Sequence, residues 1–452
     1  MYWRSKVLYD ALWEQFHPSQ DAKLLISKNE YEEIRLIYFK SLTDEAKIQT
    51  LILKPFYELV SRKDFSRYIC SLPNTSEYQE TDDLSKKILE GNLILFCGLH
   101  ILIIDVKKAV NNATTQSTVE SVIQGPQYGF SENVEVNLNL IRHRYPQETL
   151  IVEAHLLNTQ IPQTVHLVYD SQFVNEDRLQ KIKERLGKVT GKTLQAIGEL
   201  EQKLNLQKIT LFPTSMITER PDRVALNLSQ GKVALMINGT PFVLLAPAVF
   251  YDFISSMEDI YQSWGVSRFI IMLRYIGLFI SLILPSMYVG VTSFNPELFQ
   301  VQLALSIAGS RVGVPYPSYL EVLFMLIMME LLTEASIRLP KTIGSTATTV
   351  GGLILGQAAT DAGLVSNIMI ILVAAVAISN FVIPINAMGF ALRVSKYFVL
   401  LLTTFFGLVG MVIGLIFLIG YLCKLDSFGQ PYLRLFLGAN DKDLFNEKET
   451  SS

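Results

Sequence analysis

Apolar residues fall along the chain in two regimes. Before residue 264 they come as short alternating or helical-period runs separated by polar turns, and from 269 to 422 they form long blocks with very few charges. A helix needs about 20 apolar residues to cross the roughly 30 Å hydrocarbon core of a bilayer. Five blocks reach that length: 269–291, 317–339, 343–364, 365–392 and 396–422. The block 296–310 is apolar but too short, and reads as an interfacial or re-entrant helix. The pattern predicts a two-lobed α/β cytoplasmic region followed by an all-α polytopic membrane domain. Its divisions are an N-terminal lobe at 1–118, a second α/β lobe at 119–264, the transmembrane domain at 265–424 and a polar tail at 425–452.

In the first lobe, Asp44, Glu45 and Ala46 open a helical-period stretch through Ile48, Leu51, Ile52, Tyr57 and Leu59. Pro55, lacking an N–H, kinks or splits it. The runs 93–97 and 101–106 flank Gly98-Leu99-His100 and predict paired strands. The polar stretch 107–118, with Asn111, Asn112, Thr114, Thr115 and Gln116, marks a loop or lobe boundary. In the second lobe, strands at 150–156 and 165–169 flank a turn at 158–162. A helix follows, capped by Asn175, with Glu176 and Asp177 in its first turn and a buried stripe of Leu179, Ile182, Leu186 and Val189. Strands alternating with helices predict an α/β lobe. Pro221 starts a helix over 222–230 that Gly231 ends. The runs 232–237 and 240–246, joined by Asn238-Gly239, predict a β-hairpin on a two-residue type I′ turn.

Charge and composition narrow the function. With 39 Lys and Arg against 42 Asp and Glu, the net charge is −3, and the basic residues are scattered. That leaves no basic stripe for nucleic acid. Cys70, Cys97 and Cys423 have no C-x-x-C spacing, and His17, His100, His143, His155 and His166 lack ligand spacing. No metal site is indicated, and the cysteines read as small packing residues. There is no P-loop, H-E-x-x-H, G-x-S-x-G or strand-borne G-x-G-x-x-G, so no enzyme signature is present. Residues 1–20 hold Arg4, Lys6, Asp10 and Glu14 and no apolar run of signal-peptide length, which points to a cytoplasmic N-terminal half. Arg268, the pair Arg338 and Lys341, and the pair Arg393 and Lys396 share one side if all five blocks cross, and the positive-inside rule makes that side the cytoplasm. An odd number of spans puts the tail outside, although Lys424 and Arg434 lean the other way, and a re-entrant third block changes the count.

The candidate chemistry lies among the apolar blocks. A charge at membrane depth costs about 2.5 kcal/mol or more, so Glu321, Glu330, Glu334 and Arg274 are expected to face protein, water or an ion path. Glu330 and Glu334 share one helical face, while Glu321 points about 180° away from Glu330. Glu330 is the ion-path candidate. Glu334 has Arg338 one turn on as a structural partner, and Arg274 either snorkels to the cytoplasmic surface or pairs with an acid of a neighbouring helix. In the third block, Ser345, Thr349, Gly352, Gly356 and Ala359 form one face of small residues, which lets helices pack closely. The adjoining row is Thr346, Val350, Leu353 and Gln357. In a ring of such helices the apolar pair closes a pore by dewetting while the polar ends stay wet. Either face can look inward.

Ordered motifs then bring in a family. Glu219-Arg220-Pro221-Asp222-Arg223-Val224, Asn238-Gly239-Thr240-Pro241-Phe242-Val243 and Pro247-Ala248 resemble the junction segment of GerA-type spore germinant receptor A subunits. The resemblance continues through Asn295-Pro296-Glu297-Leu298, residues 310–317, Arg338-Leu339-Pro340, residues 351–359 and Ser427-Phe428-Gly429-Gln430-Pro431-Tyr432, and covers about three quarters of the chain. It implies an inner-membrane protein of endospore-forming bacteria that works with a transporter-like B subunit and a lipoprotein C subunit. It also implies a homo-oligomeric, ring-shaped ion channel without a cofactor that starts germination when a nutrient is sensed. A sister branch of the family acts with the calcium-dipicolinate release machinery. A secondary transporter is the reading from another class; the missing internal repeat speaks against it.

Overall fold

The computed structural model describes residues 2–59, 61–98, 100–108, 116–117, 119–120, 122–191, 193–205, 210–339 and 341–434, without the side chains of 2–5, 62, 337, 341–345 and 347–348. Of the predicted loop at 107–118, residues 109–115 and 118 lie outside these residues, as does the tail beyond 434.

The first sheet is built from β1 (Ala22–Lys28), β2 (Glu33–Phe39), β3 (Thr75–Glu77), β4 (Asn92–Cys97) and β5 (His100–Asp105), all antiparallel in the order β1-β2-β4-β5-β3. Successive side chains point to opposite faces, and β4 is buried at every position, so both faces of the sheet are covered. Ile37, Ile94 and Phe96 pack under α1 (Tyr2–Phe16) and α5 (Leu84–Leu89). Leu36, Leu93 and Leu95 face α2 (Glu45–Ile48), α3 (Lys54–Glu58) and α4 (Arg62–Ser71). The predicted helix is not broken at Pro55: α2, a π turn at Gln49–Leu53 and α3 follow without a gap, and the proline sits in the first turn of α3.

The second sheet runs β8-β6-β7-β10-β11-β9, antiparallel except where β6 (Leu150–Thr159) meets β8 (Thr190–Gly191). Its other strands are β7 (Gln163–Asp170), β9 (Met216–Thr218), β10 (Val233–Ile237) and β11 (Val243–Ala246), and its helices are α6 (Val134–Arg144), α7 (Glu176–Gly187), α8 (Ile197–Leu204) and α9 (Pro221–Ser229). Asn175 caps α7, accepting from the Arg178 N–H at 3.1 Å, and Leu179, Ile182, Leu186 and Val189 are all buried. Gly231 ends α9 at φ 76°, where a Cβ would lie 2.3 Å from the Phe173 carbonyl oxygen. Two expectations are corrected. The β6–β7 turn begins only after Thr159, because Asn158 and Thr159 still belong to β6. The β10–β11 connection is not a two-residue turn: Met236 pairs with Val243, and Pro241, which has no N–H to give the ladder, stays in a longer loop.

Two short helices, α10 (Phe250–Ile254) and α11 (Glu258–Tyr261), lead into the apolar half. That half comprises α12 (Trp264–Phe294), a 3₁₀ turn (Pro296–Leu298), α13 (Val301–Arg311), α14 (Ser318–Arg338), α15 (Lys341–Asp361), α16 (Asn367–Phe381) and α17 (Asn386–Lys424), then β12 (Asp426–Ser427) and β13 (Gln430–Pro431). Among the described residues, α12 and α17 are long and apolar enough to cross a membrane, and α16 is apolar but shorter. α12 continues through Pro285.

The fourth and fifth predicted blocks are divided differently in the fold. Residues 382–385 break the fourth block, so Arg393 and Lys396 lie inside α17 rather than on a connecting loop. α17 itself reverses at Gly407, whose φ of 65° and ψ of −146° interrupt the helix. Beyond it, Gly414 lies against the Cα of Val399, where a Cβ would come within 3.4 Å, and the Phe398 and Phe417 rings stand 5.5 Å apart. The two limbs therefore run antiparallel, about 31 and 25 Å long at roughly 1.5 Å per residue. Gly410 and Gly414 let them approach.

The bundle thus has a sheet end and a far end. At the far end Ser293 of α12 bonds Ser318 of α14, and Gly363, after α15, lies against the Gly313 carbonyl. α15 therefore runs the height of the bundle. Within the bundle, α12, α14, α15, α16 and the two limbs of α17 are six helical segments that alternate between its two ends. The sequence leaves the position of the tail open; in the structure residues 425–434 return to the second sheet. The Phe250 N–H donates to the Tyr432 carbonyl at 3.0 Å, Ser427 Oγ donates to the Thr214 carbonyl at 2.6 Å, and Tyr432 is buried beside Phe212, Phe250 and Phe253. One core joins the halves, running from Val152, Val168 and Met236 of the sheet to Leu278, Leu392, Leu418 and Leu422.

Candidate functional site

The four charges singled out within the apolar blocks all have partners. Arg274, buried in α12, donates to the Ile254 carbonyl at 3.1 Å and is ion-paired with Asp259 of α11, fixing the start of the helix to the segment that precedes it. Glu321 is buried at the far end. It accepts the Ser366 N–H at 2.6 Å, just ahead of α16, and lies 3.4 Å from Arg311. Glu334 pairs with Arg338 one turn on, at 2.7 Å, with both side chains exposed. Glu330 bridges α14 to α17 by accepting from Arg393 at 3.0 Å and from the buried Lys396 at 2.9 Å. The expected ion-path acid is thus engaged by two cations from the next helix, and the cluster carries net positive charge.

The two faces of α15 have different surroundings. On the small face, Gly352 lies against Leu332, Gly356 against Ile370, and Ala359 is buried; Thr349 is exposed, and the Ser345 side chain is among those not described. The adjoining row is open along its length: Thr346 and Gln357 are exposed, Val350 is 48% exposed and Leu353 70%. Within one chain, small residues pack inward at the far-end half of α15, and the Thr-Val-Leu-Gln row faces out.

Sequence reasoning missed two buried polar knots. In the first, Arg142 of α6 donates to both carboxylate oxygens of Asp21 at 2.8 and 3.1 Å and to Ser19 at 3.0 Å. Ser41 adds a 2.7 Å bond to Asp21, and Arg142 stacks on the Phe39 ring. Burial alone pushes the Asp21 carboxyl up, but the Arg142 charge and the bonds from Arg142, Ser19 and Ser41 outweigh it and hold the group below its ordinary value. These residues lie 121 positions apart, and no local pattern joins them.

The second knot is the Glu219–Arg223 motif. Glu219 accepts from Ser117 Oγ at 2.6 Å and from the Glu120 N–H at 3.1 Å. Arg220 donates to the Glu120 and Pro126 carbonyls and to Asp222, while Arg223 pairs with Glu120 at 2.9 Å. Tyr261, three residues before α12, donates its hydroxyl to Asp222 at 2.7 Å. Burial, with the Asp222 bond and charge, pushes that phenol up to about 12. Gly125 sits at φ 127° under the Tyr261 ring, where a Cβ would come within 2.5 Å. The usable signal was the density of charge around Pro221.

The fold and these contacts define a class: a protein with two α/β sheets, the second of which shares one core with an apolar helical bundle whose first long helix is held by a buried ion pair to the segment that precedes it. A family model described as Bacillus/Clostridium GerA spore germination protein matches residues 10–448. The chain is 33% identical to spore germination protein KA of Bacillus subtilis (strain 168), over 91% of this chain and 77% of that one. It is 31% identical to spore germination protein B1 of the same organism, over 90% and 86%. It is 33% identical to spore germination protein GerLA of Bacillus cereus, over 90% and 85%. A crystal structure of the N-terminal domain of the A subunit of the Bacillus megaterium spore germinant receptor GerK3 aligns with 54% of this chain and 94% of that one, at 23% identity and a TM-score of 0.42. The chain belongs to the GerA family of spore germination proteins.

Proposed function

We propose that this chain is the A-type subunit of a nutrient germinant receptor and that copies of it surround an ion pore whose opening releases cations and starts germination. It works without enzymatic chemistry, beside a transporter-like B subunit and a lipoprotein C subunit, in the inner membrane of the spore. The sheets lie in the cytoplasm, with Arg268 and Arg338 at the sheet end of the bundle, as the positive-inside rule asks. The observation that carries the reading is the open row on α15. An apolar pair flanked by Thr346 and Gln357, uncovered along a helix that runs the height of the bundle, suits a wall that another copy completes. Glu330, held by Arg393 and Lys396, is read as a fastening of α14 to α17 rather than as a pore acid.

In this reading Val350 lines the constriction, so a smaller side chain widens it and lowers the cost of wetting. Spores carrying Val350→Ala should leak cations and germinate without nutrient, and Val350→Phe spores should stay closed. Dormant Val350→Ala spores beside leaking Thr349→Ala spores would put the lumen on the small face and refute the assignment.

A further inference from the structure

Beside the point where the chain enters the apolar bundle, a pocket of about 100 Å³ is lined by four parts of the chain: α7, the turn between α9 and β10, α10 with the residues just before it, and the returning tail. Its charged lining is Arg178, Lys232, Asp252 and Arg434, and Gln430 and Tyr251 add polar groups. The one acid is already engaged. Asp252 pairs with Lys232 at 2.7 Å and accepts the Val249 N–H at 2.8 Å through the same oxygen. Neither Arg178 nor Arg434 has an ion-pair partner among the described residues, and the two are close enough for the charge of Arg434 to act on Arg178: burial, then Arg434, pushes Arg178 below its ordinary value. Two guanidinium groups brought together by α7 and the tail repel each other unless an anion lies between them. Planar guanidinium donors match the oxygens of a phosphate, and at roughly 30 Å³ per water the pocket has room for about three waters, the scale of one such group.

We infer that this pocket binds a phosphate group, which bridges Arg178 on α7 to Arg434 on the tail. The chemistry is the same for free phosphate and for the headgroup of an anionic phospholipid. Position makes the second accessible: Tyr251 in the pocket wall feels the charge of Arg268, in the first turns of α12. Because α10 leads through α11 to α12, an anion there would fasten the tail to the root of the first long apolar helix. Neither the family relationship nor the pore reading supplies this site, and it stands if the pore reading fails.

The test uses the full-length protein in uncharged detergent and in phosphatidylcholine nanodiscs with or without phosphatidylglycerol. Thermal unfolding is followed while inorganic phosphate replaces chloride at constant ionic strength, and retained lipid is read by native mass spectrometry. Wild type should be stabilised by phosphate, by phosphatidylglycerol or by both. Arg178→Gln and Arg434→Gln should each weaken the response about tenfold, the scale of one lost charge-assisted hydrogen bond, and Lys188→Gln, just past the end of α7, should not. A response to phosphatidylglycerol alone identifies a headgroup site, a response to phosphate alone a soluble anion, and a response to both with competition a shared site. No response to either ligand, or a response that both arginine variants keep in full, overturns the inference.

Discussion

Removing one partner of a buried ion pair leaves the other charge in a medium that solvates it poorly. Asp21→Asn strips the carboxylate from Arg142 and should destabilise the protein by about 3 kcal/mol or more. The pH dependence has a definite sign. The folded value of Asp21 is lowered, so its contribution is complete above the unfolded carboxylate range and is lost as pH falls through the folded value. Thermal melts of wild type should therefore lose stability below about pH 4, and Asp21→Asn should flatten that part of the curve. Glu330→Gln removes the only acid from a cluster that then holds two cations, so it should lower the amount of folded protein in the membrane; Glu330→Gln with Lys396→Met should restore part of it. A Glu330→Gln protein that accumulates normally but passes different cations would return Glu330 to the ion path. At this scale the sequence was legible where partners are close: Glu334 and Arg338 meet at helical spacing. It was silent where the fold joins distant positions, as with Asp21 and Arg142 or Glu330 and Lys396.

Among the elements, the hairpin of α17 depends on Gly407 more than on any other single residue. Its φ of 65° is reached freely by glycine alone, and a Cβ there would lie 2.9 Å from the Phe294 ring. Gly407→Val should sharply reduce the protein recovered from membranes, whereas Gly265→Ala, with nothing within 4 Å, should not. Normal accumulation of Gly407→Val would contradict the reversal. Helices α7 and α9 were legible because cap, stripe and stop all lie within one turn of their ends. The hairpin was not. A continuous apolar run satisfies a single span as well as two limbs, and the only local sign was Gly407-x-x-Gly410-x-x-x-Gly414, where the limbs touch. The β10–β11 turn was misplaced because Asn238-Gly239 favours a tight turn locally, while Pro241 and the N–H bond from Gly239 to the Glu132 carbonyl hold the loop open.

In the whole molecule, the division into sheets and apolar helices follows from composition, but the return of residues 425–434 to the second sheet depends on the reversal at Gly407. The reversal within α17 brings Ser427 and Tyr432 against the second sheet, so the residues that follow α17, the second sheet and the root of α12 pack together at the sheet end. Two contacts fasten the start of α12 to what precedes it: Tyr261 with Asp222 and Arg274 with Asp259. The central claim is that several copies then enclose a pore lined by α15. Single-channel recording of the purified full-length protein in planar bilayers tests it most directly. Discrete conductance steps should appear, more often open for Val350→Ala and abolished by Val350→Phe. A smooth, saturable flux without steps, unchanged by either substitution, would contradict the account.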